Sequence, residues 1–244
     1  MTQPPHPRRQ DARDIGAGVV IAIDGPSGSG KSSVARAVAR QLGLAYLDTG
    51  AMYRALTWWC REQGIDLRDA PAVARAAREL PLILGMDPAD PSVSVDGRPV
   101  EAAIRESAIS QAVSLVATNL EVRAELIRRQ RRLISDARSQ AGGVVAEGRD
   151  ITTVVAPEAE VRILLIADQT ARLARRAAQV HGQADSSALA ATHDQVVRRD
   201  RDDSSVAQFH EPAEGVATVD TSALDLQQSI DAVLSVVSAR SVRA

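Results

Sequence analysis

The feature that most constrains this chain of 244 residues is a glycine-rich segment, GPSGSGKS, at residues 25–32. It follows a short apolar run, VVIAID at 19–24, which is typical of a strand buried on both faces. Apolar residues at helical spacing follow it as far as Gly43, a residue type that commonly ends helices. A strand, a glycine loop and a helix N-terminus in this order predict a phosphate-binding site, because the backbone N–H groups can surround phosphate oxygens. The predicted phosphate-binding residues are Gly25, Pro26, Ser27, Gly28, Ser29, Gly30, Lys31, Ser32 and Ser33.

Lys31 is the only lysine among the 29 basic residues, and all the others are arginine. We expect it to reach the β- and γ-phosphates of ATP, with the Ser32 hydroxyl on a bound Mg²⁺. A guanine-binding motif of the Asn-Lys-x-Asp type needs a second lysine, so the usual GTPases are excluded. The catalytic motifs of protein kinases, His-Arg-Asp and Asp-Phe-Gly, are also missing from the sequence.

The composition indicates a soluble protein that handles small molecules. A formal net charge of -2 gives no reason to expect nucleic-acid or membrane binding. No apolar run approaches the ~20 residues of a membrane helix, and residues 1–18 form a polar tail without an export signal. Cys60 cannot form an intrachain disulfide and is predicted to be a buried structural thiol. We expect a cytoplasmic monomer.

Alternating strands and helices predict an α/β fold around a five-stranded parallel sheet. The expected strands of this sheet are 19–24, 44–48, 143–147, 161–167 and 216–220. The expected helices are 50–63, 107–116, 121–137 and 224–239, and the segment 170–180 lies between the fourth and fifth strands. Residues 65–100 interrupt the alternation with two short strands, 80–86 and 92–96, and predict a small β-rich insertion.

Arginines follow the ends of three predicted strands, where open α/β sheets bind ligands. Arg54 lies one helical turn after the second strand, Arg149 directly follows the third, and Arg172, Arg175 and Arg176 follow the fourth. Transfer of a phosphoryl group to a phosphate acceptor needs such cations, because two anions must approach and the transition state carries further negative charge. The arrangement favours a kinase whose acceptor is itself anionic.

Three further motifs resemble those of bacterial cytidylate kinases, which belong to the nucleoside monophosphate kinase group. They are Asp48-Thr-Gly-Ala-Met-Tyr-Arg54, Glu147-Gly-Arg-Asp150 and Arg199-Asp-Arg-Asp-Asp203-Ser. Together with the phosphate loop and Arg128-Arg-Gln-Arg131, the similarity runs from about residue 19 to residue 220. The phosphate loop and these three motifs, in the right order, make the resemblance far more specific than the loop alone.

The resemblance implies a division of the chain into four parts. A flexible tail at 1–18 precedes a core formed by 19–50, 138–177 and 210–244. An acceptor-binding region spans 51–137 and contains the β-rich insertion, and a helical lid spans 178–209. The lid is expected to close over the substrates and exclude water.

The resemblance also implies a role for each candidate residue. Thr49 and Arg54 would hold the acceptor phosphate, and Lys31 would act on the donor. Cytosine would be recognised by Ser114, Arg123 and Asp150, which is a sensible set of donors and acceptors for that base. The transferred group would be surrounded by Arg149, Arg175 and Arg199, and Asp203 would contact the acceptor's sugar.

The lid motif departs from the family pattern at two places. Val206 stands where the family has an arginine, and Ala207-Gln-Phe209 replaces Ala-Pro-Leu. Loss of a phosphate-binding arginine predicts weaker binding or slower transfer unless another cation compensates. Arg198 and Arg201 are the candidates for this compensation.

The sequence therefore predicts transfer of the γ-phosphoryl group of Mg²⁺-ATP to CMP or dCMP. Two alternatives remain open. One is a kinase of the same architecture with another acceptor, such as UMP, AMP or shikimate. The other is a regulator that binds nucleotide but has lost transfer, which the valine at 206 would explain.

Overall fold

The computed structural model describes residues 18–181 and 200–241. The strands are β1 (Val19–Asp24), β2 (Ala45–Asp48), β3 (Leu82–Gly85), β4 (Ser92–Val95), β5 (Arg98–Pro99), β6 (Gly143–Gly148), β7 (Val161–Ile166) and β8 (Ala217–Asp220). The longer helices are α1 (Lys31–Leu42), α2 (Thr49–Glu62), α3 (Ala70–Glu79), α4 (Ser107–Ala117), α5 (Leu120–Gln140), α6 (Gln169–His181) and α7 (Leu226–Ser241). Five strands form one parallel sheet in the order β2-β6-β1-β7-β8. The predicted α/β fold is confirmed.

The β-rich insertion contains a helix that the sequence analysis did not identify. Strands β3, β4 and β5 form the expected small antiparallel sheet, but α3 precedes them. The Asp69 side chain accepts a hydrogen bond from the Ala72 N–H at 3.0 Å, and Pro71 lies in the first turn. Both are typical of a helix N-terminus. The helix was missed because its apolar face consists mainly of alanines, which give a weak periodic signal.

The parallel sheet is covered on both faces, as its continuous apolar strands require. Side chains alternate along β1, so Ile21 and Ile23 pack with α1 and α7 while Val20 and Ala22 pack against the α5 side. Burial of such side chains stabilises the fold by about 1.5–3 kcal/mol for each large aliphatic residue.

A third apolar cluster joins α2, α3, α4 and α5 to the insertion sheet. Cys60 lies in it with no exposed surface, and burial raises the pKa of its thiol to about 11. The prediction of a buried structural thiol is confirmed.

The register of the parallel sheet brings the phosphate loop and several carboxylates to one edge. Asp24, the last residue of β1, is opposite Gly148, and Asp48, the last residue of β2, is opposite Glu147. Since all five strands run in the same direction, the loops after β1, β2 and β6 lie side by side. This edge carries the candidate site.

Within residues 18–181 and 200–241, no helix is long and apolar enough to cross a membrane. Residues 1–17, 182–199 and 242–244 lie outside the described residues, and they include most of the predicted lid. The division into tail, core, acceptor region and lid stays a prediction.

Candidate active site

The phosphate loop has the backbone shape that its glycines predict. Gly28 and Gly30 adopt φ values of 78° and 88°, in the left-handed region. A Cβ on Gly28 would lie 2.5 Å from the backbone oxygen of Arg172, so a larger residue would have no room there. Helix α1 begins at Lys31, and no described side chain caps its N-terminus. Its first N–H groups therefore remain available to a phosphate.

Ser32 and Glu147 place two oxygen ligands beside this loop. The Ser32 hydroxyl donates a hydrogen bond of 2.6 Å to Glu147 Oε1, and Lys31 Nζ donates to the Pro26 carbonyl at 3.2 Å. Burial raises the pKa of Glu147, and the nearby Asp48 carboxylate raises it further. A hydroxyl and a carboxylate are ligands that Mg²⁺ accepts, so the pair fits the predicted metal.

The sequence analysis quoted Glu147 only as part of a motif and gave it no role. Its position at the end of a buried strand could have identified it, because burial of a carboxylate without a partner costs free energy.

The start of α2 organises the predicted acceptor-phosphate residues. Arg54 is bound to Asp48 at 2.8 Å, and Asp48 also caps the helix by accepting from the Ala51 N–H at 2.8 Å. Burial opposes ionisation of Asp48, but the Arg54 charge holds the pKa of Asp48 below its ordinary value. The Thr49 hydroxyl donates to the backbone oxygen of Glu147 at 2.8 Å. The Nε atom of Arg54 is buried and has no hydrogen-bond partner among the described residues.

The three residues predicted to recognise cytosine and Asp203, predicted to contact the sugar, form two bonded pairs. Arg123 forms a buried ion pair with Asp150, and the Ser114 hydroxyl donates to Asp203 Oδ1 at 3.3 Å. Arg123, Asp150 and Asp203 line the same cavity, whereas Ser114 is buried and is not among its lining residues.

Arg149 is held by three partners. Its guanidinium donates to Asp200 at 2.7 Å and forms an ion pair of 2.9 Å with Asp203. Its Cζ atom lies 4.4 Å from the centroid of the Phe209 ring. The sequence analysis named Arg149 and Asp203 but gave no role to Asp200 or Phe209.

Asp200 connects this group to the phosphate loop. Its carboxylate accepts from the Ser27 N–H at 3.1 Å and forms a further ion pair with Arg172. Burial alone would raise the pKa of Asp200, but the charge of Arg149 and these hydrogen bonds hold it below its ordinary value.

The neighbouring arginines Arg175 and Arg176 occupy different surroundings. Arg175 donates to the hydroxyl and backbone oxygens of Thr221 at 3.0 and 2.6 Å, and to the Leu224 carbonyl at 3.1 Å. Arg176 lines the cavity that contains Arg54 and Arg149, and Arg175 does not. The contact of Arg175 with the transferred group stays a prediction, but Arg176 is better placed for it. Arg199 lies outside the described residues.

Two cavities meet at the phosphate loop. The first has a volume of about 400 Å³, and the predicted residues that line it are Ser27, Gly28, Lys31, Ser32, Thr49, Arg54, Arg123, Arg149, Asp150 and Asp203. The second has a volume of about 440 Å³ and extends between α1 and α7. Gly28, Lys31, Ser32 and Arg176 line both. A group bound at these four residues would be accessible from both cavities.

Asp24 fixes the loop that carries Arg149 and Asp150. Its carboxylate accepts from the N–H groups of Ile151 and Thr152 at 2.9 and 2.7 Å, and from the Thr152 hydroxyl at 2.6 Å. Burial raises the pKa of Asp24 to about 6 despite these hydrogen bonds. These hydrogen bonds join the end of β1 to the loop that follows β6.

Val206 lines the first cavity, as its place in the lid motif predicts. Arg201, one of the two candidates to replace the missing arginine, is exposed and is not among the residues that line the cavity. Arg198, the other candidate, lies outside the described residues.

Comparison with known proteins shows the family of this chain. Residues 21–239 match the family model for cytidylate kinase. A cytidylate kinase of Cutibacterium acnes is 49% identical over 90% of this chain and 96% of its own length. The cytidylate kinase of Streptomyces griseus is 43% identical over 93% of this chain and 95% of its own length. That of Rhodococcus opacus is 46% identical over 91% of this chain and 96% of its own length. The resemblance seen in the motifs is confirmed, and the chain belongs to the cytidylate kinase family.

Proposed function

We propose that this protein transfers the γ-phosphoryl group of ATP to CMP or dCMP, giving ADP and CDP or dCDP. We further propose that it acts in pyrimidine nucleotide metabolism and in the cytoplasm. Membership of the cytidylate kinase family supports the reaction. The observation that carries it is the pair of cavities that share Gly28, Lys31, Ser32 and Arg176. Two nucleotides on opposite sides of these residues would bring their phosphates together.

The second cavity suits the donor. Its walls include the loop residues 28–33 and the apolar side chains of Val34, Leu224 and Leu226. An adenine ring needs an apolar surface, while the triphosphate needs the N–H groups and the lysine of the loop. Arg175 joins the two walls, because its guanidinium donates to the Ser29 backbone oxygen at 3.4 Å and to the Leu224 carbonyl at 3.1 Å.

The first cavity suits the acceptor. Asp150 can accept from the exocyclic amine of cytosine, and Arg123 can donate to its ring nitrogen or carbonyl. Arg54 and Arg149 supply positive charge for the phosphate, and Asp203, which pairs with Arg149, lines the same cavity and would contact the sugar. Since dCMP lacks only a hydroxyl, both substrates fit these polar groups.

The reaction requires positioning and charge stabilisation more than acid-base catalysis. An oxygen of the acceptor phosphate forms a bond to the γ-phosphorus, and the bond from that phosphorus to the β-γ bridging oxygen of ATP breaks. Lys31, Arg149 and Arg176 would stabilise the charge on the transferred group. A general base is unnecessary, because a phosphate monoester is largely ionised at neutral pH. Mg²⁺, held by Ser32 and Glu147 directly or through water, would neutralise part of the charge on the donor phosphates.

An acceptor panel tests the proposal. Coupled ADP detection with CMP, dCMP, UMP, AMP and shikimate should give the highest kcat/KM for CMP or dCMP. Lys31→Met is the matched control, because it should abolish ADP release from every acceptor while the fold remains intact. Equal or better turnover of another acceptor would replace the proposed substrate. Tight ATP binding with no CMP-dependent ADP release would favour the regulator. The monomeric state stays a prediction.

A further inference from the structure

The first cavity lacks a cation at the place where the family resemblance implies one. Val206 lines the cavity, and an apolar side chain there contributes no charge to the binding of a phosphate. The acceptor phosphate carries a charge of about -1.5 to -2 at neutral pH, so it needs several positive partners. Another cation in the same cavity could supply the missing interaction.

Arg105 enters the cavity from the insertion side. It ends a short helical turn, Ala103–Arg105, and lines the first cavity together with Arg54 and Arg176. No motif in the sequence analysis contains it. It is therefore a cation of the acceptor cavity that sequence reasoning did not find.

The three arginines are close enough to affect one another electrostatically. Burial lowers the pKa of Arg176, and the positive charges of Arg54 and Arg105 lower it further. Arg105 also favours the ionised form of Asp48, the partner of Arg54. Like charges gathered at one cavity repel, and a bound anion would relieve that repulsion.

The surroundings of Arg105 differ from those of an ordinary surface arginine. Within residues 18–181 and 200–241, its guanidinium makes no hydrogen bond or ion pair. Arg98, in β5, is also exposed, but it pairs with Glu62 at 3.2 Å and lies 5.0 Å from the Trp58 ring. The buried Nε of Arg54 adds a second donor without a described partner at the same cavity.

We propose that Arg105 binds the phosphate of the acceptor nucleotide and supplies the positive charge that Val206 does not. This inference rests on the proposed function, because it assumes that the first cavity takes a nucleoside monophosphate. It assigns Arg105 to selection of the phosphorylated acceptor over the free nucleoside. Recognition of cytosine belongs to other residues of the cavity.

The first test compares Arg105→Gln with the matched control Arg98→Gln in titrations of CMP and cytidine followed by calorimetry. Arg105→Gln should weaken CMP binding about 10-fold and leave cytidine binding unchanged, because only CMP carries the phosphate. Arg98→Gln should change neither affinity. Unfolding in urea establishes that both variants are folded.

The second test asks whether Arg105 replaces the lid arginine. Val206→Arg should restore most of the lost CMP affinity in the Arg105→Gln background and improve the wild type by a smaller factor. Equal factors in the two backgrounds would contradict compensation, and Arg105→Gln with unchanged CMP affinity would overturn the inference. A wild-type protein that binds no CMP would instead overturn the proposed function and this inference with it.

Discussion

The guanidinium of Arg149 lies 4.4 Å above the ring of Phe209, which has no exposed surface. Asp200 and Asp203 bind the same guanidinium at 2.7 and 2.9 Å. An arginine held by a ring and by two carboxylates has little rotational freedom. Phe209 belongs to the part of the lid motif that departs from the pattern implied by the resemblance.

We predict that Phe209→Leu lowers kcat for CMP about 3- to 30-fold, the range expected for loss of a desolvated cation–π contact. The KM for ATP should change little, because Phe209 is not among the residues that line the donor cavity. Steady-state kinetics with ATP and CMP varied separately provide the measurement.

Loss of stability must be distinguished from loss of Arg149 positioning. Leu126→Ala removes a fully buried side chain of α5 from the third apolar cluster. It should lower the free energy of unfolding by about 2–5 kcal/mol. Its kcat at a temperature where it is folded should remain near that of the wild type. If Phe209→Leu and Leu126→Ala reduce kcat equally, the aromatic contact has no specific role.

The Ser32–Glu147 contact leads to a prediction about metal dependence. Glu147→Gln should raise the Mg²⁺ concentration needed for half-maximal activity about 10- to 100-fold, because the amide is a weaker ligand and a weaker hydrogen-bond acceptor than the carboxylate. Titration of Mg²⁺ at fixed ATP and CMP measures the shift.

The matched control is Glu125→Gln. Glu125 pairs with Arg128 and Arg129 along α5 and does not line either cavity. Its Mg²⁺ requirement should equal that of the wild type. A Glu147→Gln enzyme with the wild-type Mg²⁺ requirement would show that Glu147 does not take part in metal binding.

Much of the fold was predictable because its signals are local. Three strands of the parallel sheet, β1, β6 and β7, contain short apolar runs, and the phosphate loop follows the first of them. Helix α3 was missed since alanines dominate its buried face, which leaves Asp69 and Pro71 as the main signals.

Site residues that belong to a sequence motif could be predicted. Residues that reach the site only through tertiary contacts could not. Lys31 and Arg149 follow directly from motifs at strand ends. Arg105 reaches the cavity because its turn, Ala103–Arg105, packs against α2, and no motif or sequence spacing indicates that contact. Arg175 bonds Thr221, so the neighbouring Arg176 is the one that lines the first cavity. Two adjacent arginines in a sequence do not indicate which of them lines the cavity.

Asp24 predicts a pH dependence of stability. Burial raises its pKa from 3.8 to about 6, so the folded state binds the proton more tightly than the unfolded state. The stability that this proton contributes is present below about pH 4 and is lost as the pH rises through about 6. We expect the unfolding free energy of the wild type, minus that of Asp24→Asn, to fall by about 2 kcal/mol between pH 4 and pH 7. Urea unfolding of both proteins measures it, and a difference independent of pH would contradict the raised pKa.

The buried pair of Arg123 and Asp150 predicts how the enzyme distinguishes cytosine from uracil. The carboxylate of Asp150 can accept from the cytosine amine but repels the uracil carbonyl at the same ring position, whereas an amide can donate to that carbonyl. Asp150→Asn should therefore lower kcat/KM for CMP about 10- to 100-fold and leave kcat/KM for UMP equal or higher. Ser114→Ala is the matched comparison, because Ser114 contacts Asp203 and is not among the cavity-lining residues, and its ratio of CMP to UMP turnover should change less. Equal losses with CMP and UMP in Asp150→Asn would mean that Asp150 serves to hold Arg123 and does not itself recognise the base.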